Sequence, residues 1–240
     1  KHITSARFFS LLEGTSPSAK IPFPLPTSDA FQEYARKLGI RHDSHVIVYD
    51  QAIIPGIFAC RLWWNLRAFG HSRVSILDGN LPYFEKLPDA MISSEGNPEC
   101  QTGDFTVDVN QSLIRDYERM NSVVDAASTQ ILDTRLSVNF TAEEAEPSEG
   151  NKKAMIQASS KARKSFLTVK TKYLNKFKIQ KLQIPVLSEV DLQMPITVTC
   201  YLGYTACMLA AALHHCGHED AAVYCGSWTE WSQRKAEEGA

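Results

Sequence analysis

Cys200 is the residue of this sequence whose type and position are best suited to chemistry. It follows β-branched residues over 196–199, which predict a short buried strand, and precedes residues 205–215, which predict a buried helix. A cysteine between a strand and a helix faces unpaired N–H groups and the positive end of the helix dipole, and both favour its thiolate. The local sequence alone predicts an inert, buried cysteine equally well.

An internal repeat with an offset of 147 residues favours the chemical interpretation. It predicts that the chain consists of two copies of one α/β unit. The copies differ where a predicted strand ends, at Asp50 in the first and at Cys200 in the second, and open α/β sheets place their sites at that edge. The matching pairs are Ala59/Ala206, Cys60/Cys207, Gly70/Gly217, His71/His218, Gly79/Gly226 and Phe84/Trp231.

Composition limits the classes of protein to consider. The 240 residues are 44% hydrophobic, enough for two small domains, and the net charge of -2 argues against a nucleic-acid partner. No apolar run reaches the roughly 18 residues of a membrane span. The six cysteines, none in a C-x-x-C pair, argue against a disulfide framework and a zinc site. We therefore expect no metal, no other cofactor and a reducing compartment, cytoplasmic or mitochondrial.

Apolar periodicity and turn residues predict alternating strands and helices. Strands are expected over 46–49, 74–77, 131–133, 196–199 and 222–224, and helices over 30–38, 61–69, 81–86 and 205–215. His71 and His218 both follow a glycine that ends a predicted helix, so a turn or capping role is expected for them.

Several stretches, taken together and in this order, resemble one known family. They are HVIVYD (45–50), RLWWNLRAFGH (61–71), ILDG (76–79), ILDTR (131–135), EP (146–147), TCYLGYTA (199–206) and VYCGSWTEW (223–231). The chain is similar to the two-domain rhodaneses, the thiosulfate and mercaptopyruvate sulfurtransferases. The resemblance implies an α/β fold of two tandem rhodanese-like domains, each a mostly parallel sheet flanked by helices.

The resemblance also implies different roles for the two domains. Residues 1–105 would form a non-catalytic first domain, with an opening strand expected upstream of Lys1, and residues 106–240 a second domain carrying Cys200. Residues 112–121 resemble the helix that opens the family's second domain, so a helix is expected there. The implied activity moves sulfane sulfur through a persulfide on Cys200. The donor would be thiosulfate, 3-mercaptopyruvate or another small compound, and the acceptor a thiol, a protein or another acceptor. No nucleic acid and no membrane is expected as a partner.

The loop after Cys200 would cradle the transferred sulfur but departs from the family pattern. Its residues are Tyr201, Leu202, Gly203, Tyr204 and Thr205. The rhodanese branch has basic residues at positions 201 and 202, and the mercaptopyruvate branch has a serine at 202. Family arginines near Asn139 and Ser148, and a histidine at Phe23, are also replaced by uncharged residues here. We therefore expect weak activity on the usual donors, and a degenerate rhodanese-type interaction module remains the alternative.

Three further features bear on the site. Ala206 stands where a cysteine phosphatase of the C-x5-R type needs arginine, which excludes that class. Cys225 follows the predicted strand 222–224 and is expected beside the Cys200 loop, as a resolving thiol or a buried one. A lysine-rich run over 152–181 is either a solvated face or a patch that attracts anions.

Overall fold

The computed structural model describes residues 1–126, 129–135, 166–168 and 190–239. The chain folds into two compact units. The first comprises Lys1–Ser16 and Leu25–Asn110, and the second Pro17–Pro24 and Gln111–Ala240. The division into domains at residues 105/106 stays a prediction. No helix in the described ranges is both long and apolar enough to cross a bilayer.

The first unit combines short strands with two longer helices. The β2 and β3 strands pair in parallel, with Val46 opposite Val74, and β1 pairs antiparallel with β4. Phe31, Trp64 and Leu66 are among its fully buried side chains. The elements are β1 (His2–Ile3), α1 (Ser28–Lys37), β2 (Val46–Val48), α2 (Ile57–Ala68), β3 (Val74–Ile76), α3 (Asn80–Phe84) and β4 (Ile92–Ser93).

Helix α2 begins four residues before the predicted start at residue 61. Gly56 adopts the left-handed conformation, with φ 85°, and ends the preceding loop. The Asp50 carboxylate accepts hydrogen bonds from the N–H groups of Phe58 and Ala59, at 2.8 and 3.0 Å. This distant carboxylate satisfies the first turn of the helix, which a local reading of capping residues cannot detect.

The second unit contains a five-stranded sheet in the order β5-β9-β8-β6-β7, and all of its pairings are parallel. The strands predicted over 196–199 and 222–224 are confirmed with the same bounds. The elements are β5 (Ile114–Arg115), α4 (Tyr117–Ala126), β6 (Gln130–Asp133), β7 (Phe166–Thr168), β8 (Ile196–Thr199), α5 (Tyr204–His215), β9 (Ala222–Tyr224) and α6 (Ser227–Glu238).

The helix predicted over 112–121 is wrong in its first half. A single 3-10 turn, Gln111–Leu113, leads into β5, and Ile114 pairs with Val223 of β9. Helix α4 begins only afterwards, where the Asp116 carboxylate accepts the Arg119 N–H at 2.8 Å. Pairing with a strand more than 100 residues away overrides the local helical preference.

The helix ends confirm the expected role of the two histidines. Gly70 and Gly217 both have left-handed φ angles, 94° and 89°. The next residues bond back to the last helical turn: His71 N donates to Leu66 O at 2.8 Å, and His218 N donates to Leu213 O at 3.0 Å. Both sites are Schellman-type helix ends, and they occupy equivalent places in the repeat.

Parallel pairing sets where the candidate site lies. Because β6, β8 and β9 run in the same direction, the residues that follow them meet at one edge of the sheet. Helix α5 starts from this edge after β8, and α6 starts from it after β9. Both units are therefore α/β units of the predicted class, and the second presents Cys200 at the carboxyl edge.

Candidate active site

Cys200 follows β8 directly and is 3% exposed. Its Sγ accepts a hydrogen bond from the Gly203 N–H at 2.9 Å. Gly203 is the N-cap of α5 with φ 88°, a conformation that aims its N–H back at the sulfur and that residues with a Cβ rarely adopt. The sulfur thus lies at the N-terminus of a twelve-residue helix, where the dipole stabilises negative charge.

The other loop residues hold the loop to its surroundings. The Tyr201 carbonyl accepts the N–H and the hydroxyl of Thr229, at 3.2 and 2.8 Å, while the Tyr201 side chain is 38% exposed. Tyr204 meets Phe23 edge to face, with ring centroids 4.8 Å apart. Leu202 is half-buried. Of the predicted loop residues, Gly203 bonds the sulfur, and Tyr201 and Tyr204 contact neighbouring segments.

Thr205 is oriented by strand β6. Its hydroxyl lies 2.7 Å from the hydroxyl of Thr134, which also donates to the Thr199 carbonyl at 3.3 Å. The Thr134 N–H donates to the same carbonyl at 3.0 Å. These bonds join the start of α5 to the ends of β6 and β8, so the cradle rests on regular elements.

The start of α6 fixes the backbone of Cys200. The Cys200 N–H donates to Ser227 Oγ at 3.3 Å, and the Trp228 N–H donates to the Cys200 carbonyl at 2.9 Å. The same Ser227 oxygen lies 3.8 Å from Cys200 Sγ and donates to the Tyr224 carbonyl at 2.9 Å. Sequence reasoning missed Ser227, although the repeat pairs it with Asn80.

The first unit has the same arrangement with a carboxylate in place of the thiol. The Asp50 N–H donates to Asn80 Oδ1 at 2.7 Å, as the Cys200 N–H does to Ser227. The Asp50 carboxylate accepts the N–H groups of Gly56, Phe58 and Ala59, at 3.0, 2.8 and 3.0 Å. A carboxyl group therefore occupies the helix N-terminus in this unit. In the second unit, the corresponding place is held by a thiol.

Glu230 anchors the first turn of α6 beneath the site. It is buried, accepts the Tyr224 hydroxyl at 3.0 Å and pairs with Arg234 at 2.9 Å. Burial raises the pKa of Glu230, and the two partners only partly oppose this effect. A Cβ at Gly226 would lie 1.8 Å from a Glu230 oxygen, so only glycine fits beside this carboxylate.

Arg135, two residues after β6, is engaged in a buried ion pair. Arg135 bonds the Asp133 carboxylate through Nε at 2.9 Å and Nη2 at 2.7 Å, and both side chains are nearly fully buried. The guanidinium stacks on Trp228, 4.2 Å from the ring centroid. Asn139, Ser148 and the lysine-rich run 152–181, apart from 166–168, lie outside the described residues. In the described ranges, no three His, Cys, Asp or Glu residues are grouped to hold a metal.

Cys225 lies at the same sheet edge as Cys200. The register of β8 and β9 places Val198 opposite Val223, and each cysteine follows two residues later. Cys225 is half-buried, and none of the six cysteines forms a disulfide. The predicted juxtaposition of the two thiol-bearing positions follows from this register.

The fold and the cysteine loop define a protein of the rhodanese class. The structure is similar to the "Rhodanese"-fold 3-mercaptopyruvate sulfotransferase SseA of Escherichia coli, with a TM-score of 0.73 and 28% identity over 95% of this chain and 83% of that one. The Tum1 protein of Saccharomyces cerevisiae shares the fold, with a TM-score of 0.74 at 22% identity. No family model matches the chain.

Sequence comparison identifies the family within this class. Thiosulfate sulfurtransferase of Gallus gallus is 32% identical over 235 residues, 98% of this chain and 79% of that protein. Human 3-mercaptopyruvate sulfurtransferase is 31% identical over 240 residues, 98% of this chain and 78% of that protein. The chain belongs to the thiosulfate and 3-mercaptopyruvate sulfurtransferase family. This confirms the sequence-based prediction of a sulfurtransferase with a rhodanese fold.

Proposed function

We propose that Cys200 is the nucleophile of this sulfurtransferase and carries the transferred sulfur as a persulfide. The observation that carries the proposal is the 2.9 Å hydrogen bond from the Gly203 N–H to Cys200 Sγ at the N-terminus of α5. An N–H directed at the sulfur and the aligned helix dipole both stabilise negative charge there. This negative charge is present on the attacking thiolate and on the persulfide that replaces it.

The reaction would proceed in two halves. The Cys200 thiolate attacks the transferable sulfur of the donor and forms a new S–S bond. The bond from that sulfur to the rest of the donor breaks, and the remainder leaves with the electron pair, as sulfite from thiosulfate or as the pyruvate enolate from 3-mercaptopyruvate. An acceptor thiolate then attacks the outer sulfur and releases the Cys200 thiolate. The Ser227 hydroxyl, 3.8 Å from Sγ, is placed to orient the cysteine through its N–H in both halves.

The donor is a sulfane compound that this loop recognises without nearby loop cations. Thiosulfate and 3-mercaptopyruvate, the substrates named for the relatives, are both anions. The residues at 201 and 202 are Tyr201 and Leu202, and Phe23 packs on Tyr204 close by. We infer that both anions react slowly here, with a thiol or a protein thiol as the acceptor.

The same uncharged loop would suit a rhodanese-type interaction module with little catalysis. Cys200 is only 3% exposed, which also fits a binding role. Persulfide formation on Cys200 distinguishes a sulfurtransferase from an interaction module, because an interaction module does not require a persulfide. The cysteine usage, six in 240 residues without a C-x-x-C pair, supports a reducing compartment, cytoplasmic or mitochondrial.

The decisive experiment is to identify the loaded thiol by mass spectrometry. The full chain is incubated separately with thiosulfate, 3-mercaptopyruvate and inorganic polysulfide, alkylated and digested. With alkylation immediately after loading, we expect one added sulfur on the Cys200 peptide, its loss in Cys200→Ser, and its retention in Cys216→Ser, a matched control at the far end of α5. Loading of a different cysteine, or the absence of loading with every donor in both the wild type and Cys225→Ser, would refute the proposal and favour the interaction module.

A further inference from the structure

Two thiols meet at the edge where β8 and β9 end. In register, Cys200 and Cys225 each follow the pair Val198–Val223 by two residues. Neighbouring strands of a sheet are about 4.8 Å apart. A disulfide requires Cα atoms about 4.4–6.8 Å apart. Pairing is observed up to Val198–Val223, and both cysteines lie one residue beyond their strands. If the same spacing continues to that point, it suits a bond between the two sulfurs.

Strand alternation, continued one residue past the ends of β8 and β9, would place both cysteines on one face of the sheet. Tyr224 packs in the cluster formed by Tyr117 and Trp231, on the face covered by α4 and α6. Cys225, the next residue, belongs to the opposite face. Cys200 belongs to that opposite face too, because its sulfur bonds the Gly203 N–H at the start of α5.

Cys225 differs in residue type from its counterpart in the first copy of the repeat. Its counterpart in the first unit, 147 positions earlier, is Asp78, and a glycine follows in both copies, Gly79 in the first and Gly226 in the second. A half-buried thiol thus takes the place of a carboxylate in the unit that carries the candidate nucleophile. Helix α5 bears further cysteines, but Cys216 caps its far end, about 18 Å from its first turn.

We propose that Cys225 is a resolving thiol, which converts the Cys200 persulfide into an internal disulfide and releases hydrosulfide. The inference rests on the proposed function, since it needs the persulfide. Cys225 Sγ attacks Cys200 Sγ and forms the Cys200–Cys225 bond, while the bond from Cys200 Sγ to the outer sulfur breaks. The outer sulfur leaves with the electron pair and takes up the thiol proton. It is reduced to sulfide, and the two cysteine sulfurs are oxidised to the disulfide.

This step requires no external oxidant, because the donor's sulfane sulfur is the oxidant. The cycle closes when a dithiol reductant of the thioredoxin type reduces the Cys200–Cys225 disulfide and restores both thiols. The final acceptor of this route is therefore a protein dithiol, and its product is free hydrosulfide. A monothiol acceptor would instead compete with Cys225 for the loaded sulfur.

The test follows the loaded protein in the absence of thiols. Wild type, Cys225→Ser and the control Cys216→Ser are loaded with inorganic polysulfide and freed from excess reagent. Released sulfide is then measured over time, and non-reducing peptide maps are recorded. We expect wild type and Cys216→Ser to release roughly one equivalent of sulfide and to give a linked Cys200–Cys225 peptide. Cys225→Ser should keep its persulfide and release sulfide at least about tenfold more slowly.

The outcomes separate this inference from the proposed function. A persulfide that is as long-lived in wild type as in Cys225→Ser overturns the resolving role and leaves the proposed function intact. The absence of persulfide on Cys200 in Cys225→Ser itself refutes the proposed function and, with it, the resolving role. Cys225→Asp, which copies Asp78, provides a second variant that should behave like Cys225→Ser.

Discussion

The Cys200 N–H donates to Ser227 Oγ at 3.3 Å, and the equivalent bond of the first unit joins the Asp50 N–H to Asn80 Oδ1 at 2.7 Å. Ser227 and Asn80 both have positive φ angles, 51° and 59°. A non-glycine residue in this region costs about 1 kcal/mol or more. The same strained conformation occurs in both units because it lets a side chain reach back to the end of the preceding strand.

Ser227→Ala should therefore weaken catalysis through the position of Cys200. The variant removes the acceptor of the Cys200 N–H and keeps the strained φ. We expect sulfur transfer to slow by about tenfold, since a displaced nucleophile loses its attack geometry. Steady-state rates with inorganic polysulfide as donor and a thiol as acceptor measure this effect. The pH profile should keep its shape, because Ser227 does not itself exchange the transferred proton.

Ser227→Gly is the matched variant that separates orientation from strain. It also lacks the hydroxyl but adopts φ 51° without penalty, so it should be about 1 kcal/mol more stable than Ser227→Ala. Both variants should be equally slow. If glycine restored the wild-type rate, strain and not the hydrogen bond would be the important contribution of this position.

The buried pair of Asp133 and Arg135 should be essential for the stability of the second unit. Asp133→Ala leaves an uncompensated guanidinium that is 4% exposed, which costs about 3–5 kcal/mol. Arg135 stacks on the Trp228 ring, and the backbone N–H of Trp228 donates to the Cys200 carbonyl. The loss of the ion pair should therefore also loosen the active-site loop. Denaturant unfolding measures the first effect.

A double variant tests whether the charge is the cause. Asp133→Ala combined with Arg135→Met removes both charges and should be more stable than Asp133→Ala alone. If the double variant lost as much as the sum of the two single variants, the residues would contribute independently, contrary to the ion-pair interpretation.

His71 should make the first unit sensitive to mild acid. Its side chain is buried, and burial lowers its pKa below the ordinary 6.5. The unfolded chain therefore takes up the proton first, so the stability from His71 is complete above pH 6.5 and decreases as the pH falls below that value. Unfolding measured between about pH 5.5 and about pH 7.5 should show this slope, and His71→Gln should reduce it. An NMR titration of the imidazole with a midpoint above 6.5 would contradict the prediction.

Sequence patterns predicted the parts of the fold that depend on local information. Strands β8 and β9 were predicted with their observed bounds, because each is a short run that is buried on both faces, β-branched in β8 and apolar in β9. The early start of α2 was missed, because its capping group, Asp50, lies outside the local sequence of the helix. Strand β5 was missed, because only its partner β9 makes Ile114 extended.

Sequence patterns likewise predicted only those residues of the site that the local sequence marks. Cys200 and Gly203 stand out because strand, cysteine, glycine and helix are adjacent in sequence. Ser227 does not, because its role depends on a positive φ angle and on a bond to a residue 27 positions away. The repeat offers one signal for it, since its counterpart Asn80 binds the end of the first unit's strand in the same way.

The uncharged loop should limit the reaction with small anionic donors. Each charge-assisted hydrogen bond to a donor is worth about 1.5–3 kcal/mol. The absence of two such bonds therefore lowers kcat/KM by about two to four orders of magnitude relative to a loop with two cations. We expect wild-type rates with thiosulfate and 3-mercaptopyruvate to be lower by this factor than those of the relatives.

Adding the two cations should reverse part of this deficit for thiosulfate. Tyr201 is 38% exposed and Leu202 is half-buried, so Tyr201→Arg and Leu202→Lys can be accommodated in the loop. The double variant should raise kcat/KM for thiosulfate by at least about tenfold, with cyanide or a thiol as acceptor. Because the gain is electrostatic, it should shrink as salt is added.

Tyr201→Phe with Leu202→Met is the uncharged control and should show no gain. Adding Cys200→Ser to the charged variant should abolish the activity, and a wild-type rate equal to that of the relatives would mean that other residues bind the donor.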